Sequence, residues 1–150
     1  GQGVSNLDLA LIGNGDVVSV EDALRLKKTS LCDGIMIGRA GLGNPWIYRN
    51  LHNAIIGSSS PPYVPDVTER RETLLRHLDL ETLLLGERQA SLNLRRIVVW
   101  YTAGLPNCKG LRASVCRASN TAEIRAMLDD FFGALPIDVP PPCAPLLLAE

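Results

Sequence analysis

Residues 9–17 read LALIGNGDV, four apolar residues running straight into Gly-Asn-Gly-Asp, and residues 34–40 repeat the pattern as GIMIGRA. A short run that is apolar at every position suits a strand buried on both faces, and a glycine after it lets the chain turn tightly. Between the two runs, Ser19-Val20-Glu21-Asp22 has the spacing of a capping box, with Asp22 in the place of Glu, and opens a helix to about Lys28. Lys27 and Lys28 fall in its last turn, where cations complement the helix dipole. The order is strand (9–13), helix, strand (34–38), which is one βαβ unit and implies a parallel pair.

The residues past each strand carry the chemistry. Exposed amides at a glycine turn, with a helix N-terminus behind them, form an anion site. Gly13 and Gly15 supply the tight geometry of the first turn, and Asn14 and Asp16 offer side-chain partners. In the second turn Gly38 frees the backbone and Arg39 adds a positive fork suited to phosphate. Parallel strands would bring both turns to one ligand. The competing reading is ordinary loop chemistry, since glycine often follows a buried strand.

From residue 44 onward the periodicity is helical. Asn44-Pro45 starts a helix with Asn as N-cap and Pro at the first helical position, and Trp46, Ile47, Leu51 and Ile55 recur at helical spacing. Gly57-Ser-Ser-Ser-Pro-Pro62 breaks the pattern as a linker. Asp66 or Thr68 then caps a helix to about Leu85, with Leu74, Leu75, Leu78 and Leu85 on its apolar face and Gly86 as its stop. A second helix runs from about Gln89 to Tyr101, residues 104–107 turn, and a shorter helix covers Leu111 to Ala118. Asn120 or Thr121 caps a last helix to about Phe132, with Ile124, Leu128 and Phe131 inward. Residues 136–150, PIDVPPPCAPLLLAE, are expected to be a disordered proline-rich tail.

Bulk properties narrow the class. Hydrophobic residues are 46%, charged residues 21% and the net charge −1, a globular balance without a global basic field. No apolar run approaches the ~20 residues of a membrane span, so no membrane partner is expected. Cys32, Cys108, Cys116 and Cys143 show no C-x-x-C spacing and no nearby histidine. That fits reduced thiols in a cytoplasmic or organellar protein, and no metal site is expected. His52 and His77 are expected at helix surfaces or boundaries. Charge is nevertheless uneven: between residues 95 and 128, Arg95, Arg96, Lys109, Arg112, Arg117 and Arg125 face Glu123 alone. Such a cluster suits phosphate contacts, with Trp100 and Tyr101 as a stacking face. The same arginines also fit a solvated helix face, and Trp100 a core position.

At this point the residues resemble a family. IGNGDVVSVEDAL (12–24) followed by CDGIMIGRAGLGNPWIYRNL (32–51) resembles the last two βα units of a tRNA-dihydrouridine synthase. LRRIVVWYTAGLPNCKGLR (94–112) resembles the helical domain of that family, and NTAEIRAMLDDFF (120–132) its final helix. The resemblance implies an FMN-binding (β/α)8 barrel followed by a small helical domain that grips tRNA, and an enzyme that reduces uridine in tRNA with NADPH. It implies that Asn14, Gly15 and Asp16, with Gly38 and Arg39, hold the FMN phosphate and ribityl region. It strengthens the reading of Arg95, Arg96, Lys109, Arg112 and Arg117 as RNA-binding residues. Ile97 stands where several relatives carry histidine. The proton-donating cysteine of the family lies in an Asn-Pro-Cys loop of the middle barrel, and this sequence has no such motif, so no catalytic residue is assigned within it.

A complete barrel needs eight βα units and ~250 residues. Two strands followed by helices therefore predict an α/β chain that is a C-terminal fragment of a TIM barrel followed by an all-α domain. The expected division is 1–57 for the last barrel units, 58–65 for a linker, 66–135 for the tRNA-binding helices and 136–150 for the tail. The chain is read as a piece of a longer enzyme, a splice product or a degenerate paralogue. It is expected to be inactive without the remainder of the barrel, supplied upstream or by another chain. Two other readings stand beside this one: a non-catalytic RNA-binding module, and a part of another FMN-binding barrel oxidoreductase.

Overall fold

In the computed structural model, which describes residues 9–136, β1 (Ile12–Gly13) and β2 (Gly34–Ile35) pair in parallel. Ile12 lies opposite Gly34 and Gly13 opposite Ile35. The tail expected over 136–150 falls, after Pro136, outside the described residues. The crossover is α1 (Val20–Ser30), capped as its sequence reads: the Ser19 hydroxyl accepts from the Asp22 amide at 3.1 Å, and Asp22 Oδ2 accepts from the Ser19 amide at 3.1 Å. The Ser19 hydrogen bond, then the one from Arg25, holds the Asp22 carboxyl below its ordinary pKa.

The strands differ from their expected form. They are two residues each, and Leu9, Leu11, Ile12 and Met36 are exposed, Leu9 at 81%. A two-stranded parallel sheet has an open edge on both sides, and among the described residues α1 is the helix that packs on both strands, with α2 packed in turn on α1. The pairing is held at its margin by Asp33, whose Oδ2 accepts from the Leu11 amide at 2.8 Å. A small core of Val17, Ala23, Ala40, Ile47 and Leu51 lies beneath.

Helix α2 (Trp46–Ile55) starts on Pro45, whose φ of −65° and ψ of −18° are already helical. The expected Asn44 cap is not formed; no side-chain hydrogen bond caps this end among the described residues. Proline at the start has no amide to satisfy, which removes part of the need. The remaining helices are α3 (Val67–Leu85), α4 (Glu87–Tyr101), α5 (Cys108–Arg117) and α6 (Thr121–Gly133). Asp66 caps α3 and Asn120 caps α6. Their shared core contains Leu74, Leu78, Leu94, Val98, Ile124 and Leu128. Leu85, placed on the apolar face of α3 by periodicity, is exposed, and Phe132 rather than Phe131 is the buried ring of α6. No helix of the described residues is long and apolar enough to cross a membrane, and none of their side chains group as metal ligands.

One cross-helix contact sets a pH dependence. Glu87, the first residue of α4, accepts from the Thr121 amide at 2.6 Å and from its hydroxyl at 2.8 Å. The amide bond first, and the hydroxyl second, hold the Glu87 carboxyl below its ordinary pKa. A depressed folded pKa stabilises fully above the unfolded value and is lost as pH falls through the folded one. Thermal midpoints of the wild type are therefore expected to drop on acidification below about pH 5, and those of Glu87→Gln to drop less steeply. Parallel profiles for the two proteins would remove Glu87 from this role.

Candidate functional site

The parallel pairing of β1 and β2 puts their following turns side by side. After β1 the chain passes through Gly15 at φ 152° and Asp16 at φ 35°. The Asp16 value is left-handed, a region aspartate tolerates better than most residues. After β2 it passes Gly38 into a single 3-10 turn, Arg39–Gly41. Arg39 Nη2 then donates to Asp16 Oδ1 at 3.0 Å, with both side chains largely exposed. Two residues 23 apart in sequence thus meet at one rim. A Cβ built on Gly15 or Gly38 would meet nothing within 4 Å, so the space over both turns is open.

Some of the backbone donors at this rim are already engaged within the chain. At the start of α1, the Val18 and Ser19 amides already donate to Asp22 Oδ2, at 3.2 and 3.1 Å. Those donors are satisfied internally, which leaves the guanidinium of Arg39 and the turn amides to face a ligand. Asn14 is exposed on the same turn. Cys32 is buried and packs under Gly13, where an added Cβ would lie 2.8 Å from its Sγ. It does not reach the open rim.

The basic residues distribute over α4 and α5. Arg95, Arg96, Lys109 and Arg117 are exposed. Arg96 lies over the indole of Trp100, 5.1 Å from the ring centroid, so Trp100 is half-buried against the core below and covered by a cation above. Arg112 spends donors inward, on the Thr102 hydroxyl at 3.3 Å and the Val99 carbonyl at 3.2 Å, where it satisfies the end of α4. Arg125 is paired with Asp79 of α3. Ile97 is a core residue. His52 is exposed, and His77 sits at the boundary, edge-on to Tyr101 and 3.7 Å from Glu81.

Sequence reasoning passed over the residues that join the two halves. Glu69 of α3 accepts from Trp46 Nε1 at 2.8 Å and also from the Tyr63 hydroxyl. Asn50 of α2 grips the Tyr63 backbone with both ends of its amide, at 2.9 and 2.7 Å. Tyr63 falls within the linker expected over 58–65. The only sequence signal was Asp66-x-x-Glu69, which reads as a capping box and hides the second use of the glutamate.

The comparisons agree with the resemblance. The family described as dihydrouridine synthase (Dus) matches residues 3–135. A protein of Mycobacterium tuberculosis named "Probable tRNA-dihydrouridine synthase" is 33% identical over 128 residues, covering 85% of this chain and 33% of that protein. "tRNA-dihydrouridine synthase B" of Xanthomonas campestris is 35% identical over 137 residues, covering 91% of this chain and 41% of its own length. The corresponding protein of Pseudomonas aeruginosa is 32% identical over 126 residues, 84% of this chain and 38% of its own. The chain thus spans between a third and about two-fifths of the length of these curated relatives. With a family match across nearly its whole length, the chain belongs to the dihydrouridine synthase family.

Proposed function

We propose that this chain is the portion of a flavin-dependent tRNA-dihydrouridine synthase that anchors FMN and docks tRNA. The observation that carries the reading is the convergence of Asp16 and Arg39 at the open rim of two parallel strand turns. The residues fit the cofactor: Arg39 keeps guanidinium donors beyond the one given to Asp16, and the two glycine turns leave room for a phosphate to approach the backbone. Asn14, Gly15 and Asp16 would hold the ribityl and phosphate from one side, and Gly38 and Arg39 from the other. FMN, when bound, supplies the redox centre, with NADPH as the external reductant. Within this chain Asp16 orients the Arg39 fork, and Arg39 neutralises the phosphate.

The exposed Arg95, Arg96, Lys109 and Arg117, with Arg112 partly engaged inside the fold, make the RNA-facing side. The exposed apolar residues along β1 and β2 support a sheet continued by the remainder of a TIM barrel, from the same polypeptide or another chain. The reacting groups would lie in that remainder, so the chain by itself docks ligands without turning them over. The test is Arg39→Ala in the full-length enzyme. Losing a charge-assisted contact worth about 1.5–3 kcal/mol should weaken FMN binding about 10- to 100-fold, and flavin absorbance should no longer co-elute on gel filtration. Undiminished co-elution would remove Arg39 from the phosphate grip.

A further inference from the structure

Glu69 occupies the third position of α3 after its Asp66 cap. A glutamate there ordinarily reaches back to the cap amide and closes a capping box. Here only half of the box is made: Asp66 Oδ1 accepts from the Glu69 amide at 2.7 Å, while the Glu69 carboxylate turns away to Trp46 and Tyr63. The backbones of these two partners belong to α2 and to the segment that follows it, while both rings pack against the helical core. Trp46 is the first residue of α2; its ring enters the helical core, whereas its neighbour Ile47 packs in the small core under the strands. Tyr63 is tied by its backbone to Asn50 of the same α2, and its ring lies 4.4 Å under the Arg49 guanidinium. One carboxylate of α3 therefore holds both the start of α2 and the segment returning from it.

We propose that Glu69, through Trp46 and Tyr63, is a positioning residue that locks the helical bundle against the strand–turn half, so that RNA held on α4 and α5 meets the glycine turns in one fixed orientation. This rests on the tRNA-dihydrouridine synthase reading for its consequence, but not for the clamp itself. The hydrogen bond to Glu69 also pushes the Tyr63 phenol above its ordinary pKa, which keeps its donor proton in place. Beside this carboxylate, the Trp46 ring in the helical core and the close approach of Gly43 to Trp100 also join the halves, which Gly57–Pro62 links covalently.

The experiment has two arms. In the 150-residue chain, hydrogen exchange is followed for Glu69→Ala, Tyr63→Phe and Glu69→Gln. Glu69→Ala should speed exchange across α2 about tenfold or more while α6 keeps its protection. A uniform rise that includes α6, or no change, would overturn the clamp. In the full-length enzyme, the same substitution should lower kcat about tenfold or more, with KM for tRNA and FMN retention unchanged. Glu69→Gln should recover part of the loss, because its amide oxygen can still accept from the Trp46 indole. A change confined to KM, or an unaltered kcat, would overturn the positioning role. If the wild type makes no dihydrouridine, the activity reading falls, and the exchange arm still decides the clamp.

Discussion

Gly43→Ala is expected to cost about 3 kcal/mol of stability or more, and Gly57→Ala only about 1 kcal/mol. Both glycines have left-handed backbones, with φ of 68° and 78°. A side chain at either position carries the same intrinsic penalty. They differ in what surrounds them. A Cβ on Gly43 would lie 2.6 Å from the Trp100 carbonyl carbon and 2.7 Å from the Trp100 Cβ, whereas one on Gly57 would meet nothing within 4 Å. The obstacle at Gly43 is helix backbone near the end of α4, which cannot swing aside as a side-chain tip does. Relief requires the loop before α2 to lift away from α4. Urea unfolding of the two variants isolates the clash from the backbone penalty, and equal losses would refute the close approach. The same displacement would move the Arg96–Trp100 pair relative to the Arg39 turn, so under the proposed function flavin retention should suffer less than productive tRNA docking.

The helical half was largely legible because local rules and burial agree there. Asp66 and Asn120 are caps by chemistry, Gly86 stops α3 by its left-handed φ, and Ile124 and Leu128 repeat at the spacing of a buried stripe. Boundaries shifted where one residue serves two elements. Gly86 ends α3 and also starts α4, so α4 begins at Glu87 and not Gln89. Asn107, at φ 58°, leads directly into α5 at Cys108, ahead of Gly110, a weak helix former that made Leu111 look like the start. The strands were legible in direction and pairing but not in burial. An unbroken apolar run specifies a doubly covered strand, and periodicity has no means of supplying the cover.

The site divides the same way. Asp16 and Arg39 could be placed together from sequence because a βαβ unit forces adjacent turns. The ion pair itself, and the use of Arg112 on the Val99 carbonyl, depend on side-chain reach across elements. Glu69 was hidden for a different reason: one residue satisfied a local motif and a tertiary contact at once, and only the local one has a sequence signature.

Leu94→Ala should cost about 2–5 kcal/mol, while Leu83→Ala should change stability by less than about 0.5 kcal/mol. Leu94 is fully buried in the helical core, and Leu83 is 78% exposed. Truncating Leu94 removes buried methyl groups and leaves a cavity walled by helices that can close only partly. The position has a functional edge because Arg95 and Arg96 follow it on α4 and face outward. Leu94, Ile97 and Val98 face inward and hold that basic face in register. Under the proposed tRNA-docking role, loss of tRNA binding in Leu94→Ala should therefore come from unfolding alone. A stabilising osmolyte, which strengthens burial without touching charge, should restore binding to Leu94→Ala but not to Arg95→Ala. Urea midpoints measured beside tRNA titrations at fixed salt decide the matter. If Leu94→Ala stays fully folded and still loses RNA, the leucine contributes to the interface directly and the inward–outward division of α4 is wrong.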